Sequence, residues 1–304
     1  MEKAPINSIT RLRIHSDGVG VRSVIFMQNC PLSCFWCCNP ETRTGNSHKV
    51  LSPEALYQYL QGDIPYFLAS GGGLTFSGGE PLLYVAFLER FITRYCQNFT
   101  VDLETSLYAS QQVLETMIPL IHTWNVDFKV FDPNKHRDFT GVSNQKILEN
   151  LAFLSTQVPP ERIILTYPVI PGYNDSKENI VAMIRFMKEH GLYQAELHPY
   201  RKIAEEKQQN AGMMATEVPP LSQEQYSQIC SLFQENGITL IRRSSLYGKD
   251  KCRYLKDLRK QLCREHNLSV EIPECTFKGE CVGTCPQCEY ELKQIYTLLS
   301  QKEE

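Results

Sequence analysis

Ser23-Val24-Ile25-Phe26-Met27-Gln28-Asn29-Cys30-Pro31-Leu32-Ser33-Cys34-Phe35-Trp36-Cys37-Cys38-Asn39-Pro40 is a run of β-branched and apolar residues that opens directly into a tight group of cysteines. The run reads as a buried strand, closed by turn-forming Asn29 and Pro31. Outward from it, runs of the same kind recur at 74–76, 99–103, 124–128, 163–169, 194–197 and 238–241. Helical patterns with legible caps lie between them. Ser52 before Pro53 and Asp132 before Pro133 mark helix starts. Ser176 opens a helix with Ile180, Ile184 and Met187 on one face, stopped by Gly191. Ser222 and Gln225 form a capping box ahead of Tyr226, Ile229 and Phe233, and Gly237 ends that helix. Strands alternating with helices predict βα units around a parallel sheet.

Composition bounds what such a sheet can serve. The chain has 304 residues, 42% apolar and 21% charged, with a formal charge of −3, which excludes disorder as the main theme and gives no basic excess for nucleic acid. No run of about 18 apolar residues exists to span a membrane. Met1-Glu2-Lys3-Ala4-Pro5 lacks the apolar stretch of a secretion signal, so a cytoplasmic location is expected. The twelve cysteines fall as four at 30–38, four at 275–288, and Cys96, Cys230, Cys252 and Cys263 elsewhere. In a reducing compartment, clustered cysteines read as metal binding or redox chemistry. The four dispersed ones read as small buried hydrophobes.

The spacing of Cys30, Cys34 and Cys37 is C-x3-C-x2-C. Three thiolates so close suit a [4Fe–4S] cluster, which normally takes four, so one iron is left free. Zinc is the alternative, although its structural sites want four ligands. Cys38, adjacent to Cys37, is read as a neighbour of the site and not a ligand. Polar motifs also end the other strands: Ser77-Gly78-Gly79-Glu80, Glu104-Thr105, Asp127-Phe128-Lys129, and His198 to Arg201. In a parallel βα barrel the loops after the strands converge on one mouth, so these motifs are expected to build one site.

C-x3-C-x2-C directly after a strand is the signature of the radical S-adenosylmethionine (SAM) enzymes, and further motifs resemble those of the glycyl radical enzyme activases. Ser16-Asp17-Gly18-Val19-Gly20-Val21-Arg22 resembles their lead-in, and Ser70-Gly71-Gly72-Gly73-Leu74-Thr75-Phe76-Ser77-Gly78-Gly79-Glu80-Pro81 their Gly-Gly-Glu motif. Asp127-Phe128-Lys129, Thr140-Gly141-Val142-Ser143-Asn144, Pro171-Gly172-Tyr173-Asn174-Asp175 and Pro199-Tyr200 complete the pattern over residues 10 to about 242. The segment between Cys38 and Ser70 has no cysteine, unlike activases with a ferredoxin-like insert, and this is most similar to the short, pyruvate formate-lyase type. The resemblance implies a partial (βα)6-type parallel barrel over 1–242.

It also implies roles. Cys30, Cys34 and Cys37 would hold three irons, and the fourth would chelate SAM, whose reductive cleavage gives a 5′-deoxyadenosyl radical that abstracts hydrogen from a glycine of a partner glycyl radical enzyme. The implied reductant is a flavodoxin or ferredoxin. Gly78 and Gly79 would let backbone approach the SAM methionine, with Glu80 orienting that loop. Trp36 and Cys38 stand where the family contacts adenine, though Trp36 reads equally as core. Glu104, Thr105 and Asp127 match oxygen ligands of a monovalent cation, with a structural salt bridge as the alternative for Glu104, and Lys129 would contact SAM or balance charge. Thr166 replaces an arginine, and Arg201 follows Pro199-Tyr200 where relatives have histidine. Arg162, His198 or Arg201 would then take over part of SAM binding.

A boundary is expected at 242/243. From Arg242 to Arg264 there are nine Lys/Arg against two Asp/Glu, read as a solvated basic face or a docking surface for an acidic partner, with Leu255, Leu258 and Leu262 as a helix face. Beyond it Cys275, Cys281, Cys285 and Cys288 form a second cluster whose spacing fits an auxiliary iron–sulfur site or zinc. Region 243–304 is therefore expected as a basic helix plus a small Cys-rich metal-binding extension. Two other functions stay open: a radical SAM enzyme that modifies a peptide or small molecule, and a non-enzymatic metal-binding module.

Overall fold

The computed structural model describes residues 2–44, 48–212, 216–275 and 285–303. Its sheet has nine strands: β1 (Ala4–Ile14), β2 (Val21–Met27), β3 (Lys49–Leu51), β4 (Gly73–Gly78), β5 (Thr100–Thr105), β6 (Thr123–Asp127), β7 (Ile163–Val169), β8 (Gln194–Pro199) and β9 (Thr239–Leu240). The spatial order is β3-β1-β2-β4-β5-β6-β7-β8-β9. β1 runs antiparallel to both β2 and β3, and each neighbouring pair from β2 to β9 is parallel. The run β2, β4, β5, β6, β7, β8 is the expected set of six parallel strands, so the partial barrel holds.

The antiparallel flank of β1 and β3 is an addition to the sequence reading. β1 shifts register between Ile6 and Ser8 and again between Thr10 and Arg13, which breaks its apolar alternation. β3 is three residues long and mostly exposed, too short to show a period. The expected helix caps are present. Ser52 accepts from Ala55 N, Asp132 from Asn134 N and Lys135 N, Ser176 from Asn179 N, and Ser222 and Gln225 form the capping box.

Strand alternation separates two environments. Leu74, Phe76, Leu103, Trp124, Val126, Leu165 and Leu197 face the helices and build the main core. The alternate positions carry Arg22, Thr75, Ser77, Asp102, Glu104, Asn125, Asp127, Thr166 and Glu196, a polar lining in place of the stacked aliphatic layers that fill a closed βα barrel. Deep in this lining the buried Arg22 donates to Thr75 Oγ1 and Thr100 Oγ1 at 2.8 Å and pairs with Asp102 at 3.2 Å.

The segment after β9 does more than the sequence suggests. Arg243 reaches into the barrel, donating to Asn125 Oδ1 at 2.7 Å and pairing with Glu196 at 3.3 Å. The helix Gly248–Glu265 then packs on the helix Ile64–Ser70, and Leu255 and Leu258 join Leu12, Ile14, Val21, Tyr66 and Leu292 in one apolar cluster. This basic helix is not simply a solvated face: Lys256 is buried and Arg259 is 0% exposed. Arg259 binds Glu291 at 2.8 Å and the Tyr66 hydroxyl, tying the helix Pro286–Glu303 to the barrel. Because Ser70 Oγ accepts from Val21 N at the start of β2, this assembly sits at the foot of the strands, opposite the ends that carry Cys30.

Replacing Arg259 with Ala leaves Glu291 as an uncompensated buried charge, so a loss of about 3–5 kcal/mol is expected. Urea unfolding checks it, and a midpoint equal to that of the unaltered protein would show that the ion pair does not hold the C-terminal helices.

Candidate active site

The loop carrying the first cysteines leaves β2 through Asn29, which adopts φ 69°. Asn is one of the few residues at ease in this left-handed region. Backbone bonds then hold the loop: Asn29 N to Thr42 O at 2.7 Å, Ser33 N to Thr140 O at 2.7 Å, Phe35 N to Phe139 O at 3.3 Å and Cys37 N to Cys34 O at 3.3 Å. From above, the helix Ile203–Asn210 adds Gln208 Nε2 to Cys37 O at 3.2 Å and Lys207 Nζ to Cys38 O at 2.9 Å. Cys38 itself is exposed.

Gly79 explains why the residue after β4 must be glycine. A Cβ there would lie 1.9 Å from Asn29 O, so no other residue lets the two rim loops approach this closely. Gly78, at φ 102°, is tight as well, since a Cβ there would lie 2.5 Å from Met27 N. The approach that these glycines permit is to the chain's own cysteine loop, through Gly79 N to Met27 O at 3.0 Å and Glu80 N to Asn29 O at 2.8 Å. Glu80, 1% exposed, turns inward. Its carboxyl accepts from Thr105 Oγ1 at 2.6 Å, Ser106 N at 2.9 Å, Ser106 Oγ at 2.5 Å and Leu82 N at 3.1 Å. Burial pushes this carboxyl's pKa upward in spite of the four donors. Glu80 and Thr105 are thus engaged with each other, and they join the ends of β4 and β5.

Cys30, Cys34 and Cys37 gather in one apolar pocket with Leu32, Trp36, Val130 and Ile170. Trp36 is buried there, edge-on to Phe35 at 4.7 Å and to Phe139 at 6.2 Å. Burial, aided by Glu80, pushes the Cys30 thiol up to about 12; burial does the same for Cys34 and also raises Cys37. Iron binding here therefore has to displace protons. Among the described residues no three His, Cys, Asp or Glu converge on a single ion. A cubane spreads its thiolates over three irons, and three thiols around one water-poor pocket fit that wider demand.

Lys129 stands beside these thiols. Its ammonium pairs with Asp127 at 2.7 Å. Burial acts to lower its pKa, but Asp127 and the Cys34 thiol outweigh that and hold it above an ordinary lysine's. Thr166 Oγ1 donates to the other Asp127 oxygen at 2.9 Å, so the threonine orients this carboxylate. Asn125 Nδ2, buried in the lining beside Arg243, has no hydrogen-bond partner among the described residues, the kind of group that a polar ligand satisfies. His198 is exposed at the end of β8, 3.9 Å from Glu196, and Arg201 is exposed beyond it. Arg162 is not at this mouth: it precedes β7 at the foot and donates to His122 O at 2.7 Å and to Ile121 O.

Several supporting residues escaped the sequence reading. Asn174 donates to Lys129 O and Pro168 O and accepts from Ile170 N, and Asn144 donates to Val130 O and Phe131 O. Both lie in motifs singled out by sequence, where their side-chain amides act as staples between rim loops. Arg243 gave no local signal, since its partners come from β6 and β8. Of the second cysteine group, Cys275, Cys285 and Cys288 lie at the foot of the barrel, and Cys281 lies outside the described residues.

The sequence matches the family profile of the radical SAM superfamily over residues 24–186. It is 30% identical over 287 residues to the 4-hydroxyphenylacetate decarboxylase activating enzyme of Clostridioides difficile (strain CD196), covering 73% of this chain and 90% of the relative. It is 29% identical over 308 residues to the indoleacetate decarboxylase activating enzyme of Tractidigestivibacter scatoligenes, covering 79% and 97%. Among solved structures, a radical SAM methyltransferase from Sphaerobacter thermophilus is similar in fold, with a TM-score of 0.56 and 14% identity over 78% of this chain and 76% of that one.

Glu104 yields a pH prediction. Its carboxyl accepts from Ser77 Oγ, and burial, followed by the Asp17 and Asp127 carboxylates, pushes it up to about 7 from 4.5. The folded state then holds this proton more tightly than the unfolded chain, so stability falls as pH rises from 4.5 to about 7 and levels off above. In the metal-free protein Glu104→Gln is expected to flatten this stretch of the stability profile. An unchanged slope would show that Glu104 titrates in its ordinary range.

Proposed function

Since the chain belongs to the radical SAM superfamily and, within it, to the glycyl radical enzyme activating enzymes, we propose that Cys30, Cys34 and Cys37 hold a [4Fe–4S] cluster at the barrel mouth, with SAM beside it. The observation that carries this reading is the convergence, on one rim, of three thiols in one apolar pocket, a glycine loop pressed against them and a polar barrel lining. Bound there, the reduced cluster and SAM supply a 5′-deoxyadenosyl radical that takes a hydrogen atom from a glycine of the partner enzyme.

The chain's own residues do the positioning. The Gly78-Gly79 backbone and the rim that Glu80 braces face the methionine end of SAM. Lys129, held by Asp127 and thereby by Thr166, places a fixed positive charge next to the thiols. That charge offsets part of the negative charge of a thiolate-bound cluster. Glu104 and Asp127 are close enough for their charges to interact, and a monovalent cation between them would relieve the repulsion, with Thr105 supporting the loop. Leu32, Trp36, Val130 and Ile170 exclude water around the cysteines. Trp36 and Cys38 face the adenine side, and His198 and Arg201 the outer mouth.

The reading extends to a glycyl radical enzyme as protein partner, a flavodoxin or ferredoxin as electron donor and an oxygen-poor cytoplasm as location. No helix among the described residues is long and apolar enough to cross a membrane, and the charge balance gives no basic field for nucleic acid. The C-terminal cysteines belong to it as a second metal site.

Anoxic reconstitution with iron and sulfide, followed by reductant and SAM, is expected to yield 5′-deoxyadenosine and methionine, and alanine at Cys30, Cys34 or Cys37 is expected to abolish the yield. With the partner present, a glycyl radical doublet is expected in its paramagnetic resonance spectrum. Cleavage that survives loss of any one of these cysteines would overturn the reading.

A further inference from the structure

At the foot of the barrel a cavity of about 510 Å³ opens between the helices Gly248–Glu265 and Pro286–Glu303. Cys252, Cys275, Cys285 and Cys288 line it, together with the bases Lys256 and Arg259. None of the four is in a disulfide. Three of them come from the C-terminal cluster legible in the sequence. Cys252 does not: it lies twenty-three residues before Cys275 and reads, by sequence, as an ordinary buried thiol. One helical surface brings it to the same wall, because Cys252, Lys256 and Arg259 follow at intervals of four and three along Gly248–Glu265.

Two basic side chains and a helix start surround these thiols. Cys285 immediately precedes the helix Pro286–Glu303 and Cys288 lies in its first turn, where free backbone N–H groups favour negative charge. The Cys285 and Cys288 thiols are hydrogen-bonded to each other. Arg259 Nη2 stands 3.6 Å from Cys288 Sγ, and the Lys256 side chain is 8% exposed. Four ligating thiolates would bring four negative charges into this space, and the two buried bases offset part of them. A single zinc ion draws its sulfurs to about 2.3 Å from one point. A cubane instead spreads them around four irons, and these four cysteines come from three separate stretches of the cavity wall, at 252, 275 and 285–288.

We propose that this cavity holds a second iron–sulfur cluster ligated by Cys252, Cys275, Cys285 and Cys288. This cluster is independent of the rim site, though it rests on the same reading of the C-terminal cysteines as metal ligands. It would bridge the two C-terminal helices directly beside the Arg259–Tyr66 contact. The seven residues of β2, about 23 Å at the usual rise per residue, run from the foot of the barrel to the loop that carries Cys30.

Iron and acid-labile sulfide counted after anoxic reconstitution of the full chain test it. About eight irons per chain are expected in the unaltered protein, about four in the triple variant Cys30→Ala, Cys34→Ala, Cys37→Ala, and about four in Cys252→Ser and in Cys288→Ser, with a cubane Mössbauer spectrum in each. A triple variant empty of iron, zinc in place of iron, or a Cys252→Ser protein that keeps all eight would overturn the proposal. Four irons in the unaltered protein that all vanish in the triple variant would refute this cluster alone. Four that all remain would refute the rim cluster and leave this one standing.

Discussion

A carboxyl group taken out of water must find its hydrogen bonds within the protein, and Glu80 finds four of them at the ends of two strands. Its own backbone N–H meanwhile binds Asn29 O on the strand that leads to Cys30. Strands β2, β4 and β5 are thereby fixed to one another at the rim, where loops would otherwise be free to splay. Hydrogen bonds to a carboxylate contribute about 1.5–3 kcal/mol each, and a donor left without a partner costs about as much, so no alternative arrangement of these loops is close in energy. Gly79 is the steric counterpart of this constraint, because any side chain there would push the cysteine loop off the rim.

The interior of the barrel follows from that rigidity. An open barrel lined by Arg22, Asp102, Asn125, Glu196 and Arg243 needs its charges matched, since each is costly to bury alone. Part of the lining is paired within the protein: Arg22 takes Asp102, and Arg243 takes Glu196 and Asn125. Burial, followed by its carboxylate neighbours, raises the Glu104 carboxyl, and Asn125 Nδ2 lacks a partner among the described residues. Arg243 belongs to the chain beyond β9, so the C-terminal segment contributes directly to the floor of the site.

Much of this was legible because it is local. The runs at 23–28, 124–128 and 163–169 carry apolar side chains in blocks that only a buried strand tolerates, and the caps at Ser52, Asp132 and Ser222 announce their helices within three residues. The cysteine spacing and the Asp127–Lys129 pair are likewise short-range patterns. What stayed hidden needed contacts distant in sequence. β1 conceals its period behind two register shifts, and Arg259 looks like one base in a basic run until Glu291 and Tyr66 close around it. Glu80 reads as part of a glycine loop, and nothing within that loop shows that its partners wait at Thr105 and Ser106.

The central claim is that three thiolates leave one iron at the rim open to the amino and carboxylate groups of SAM. Electron–nuclear double resonance on the reduced protein, with SAM carrying 15N in its amino group and 17O in its carboxylate, measures this directly. Hyperfine coupling from both labels to the cluster is the predicted result, and it should vanish when Cys34 is replaced by Ala. A cluster signal with coupling to neither label would place SAM away from the iron and contradict the account.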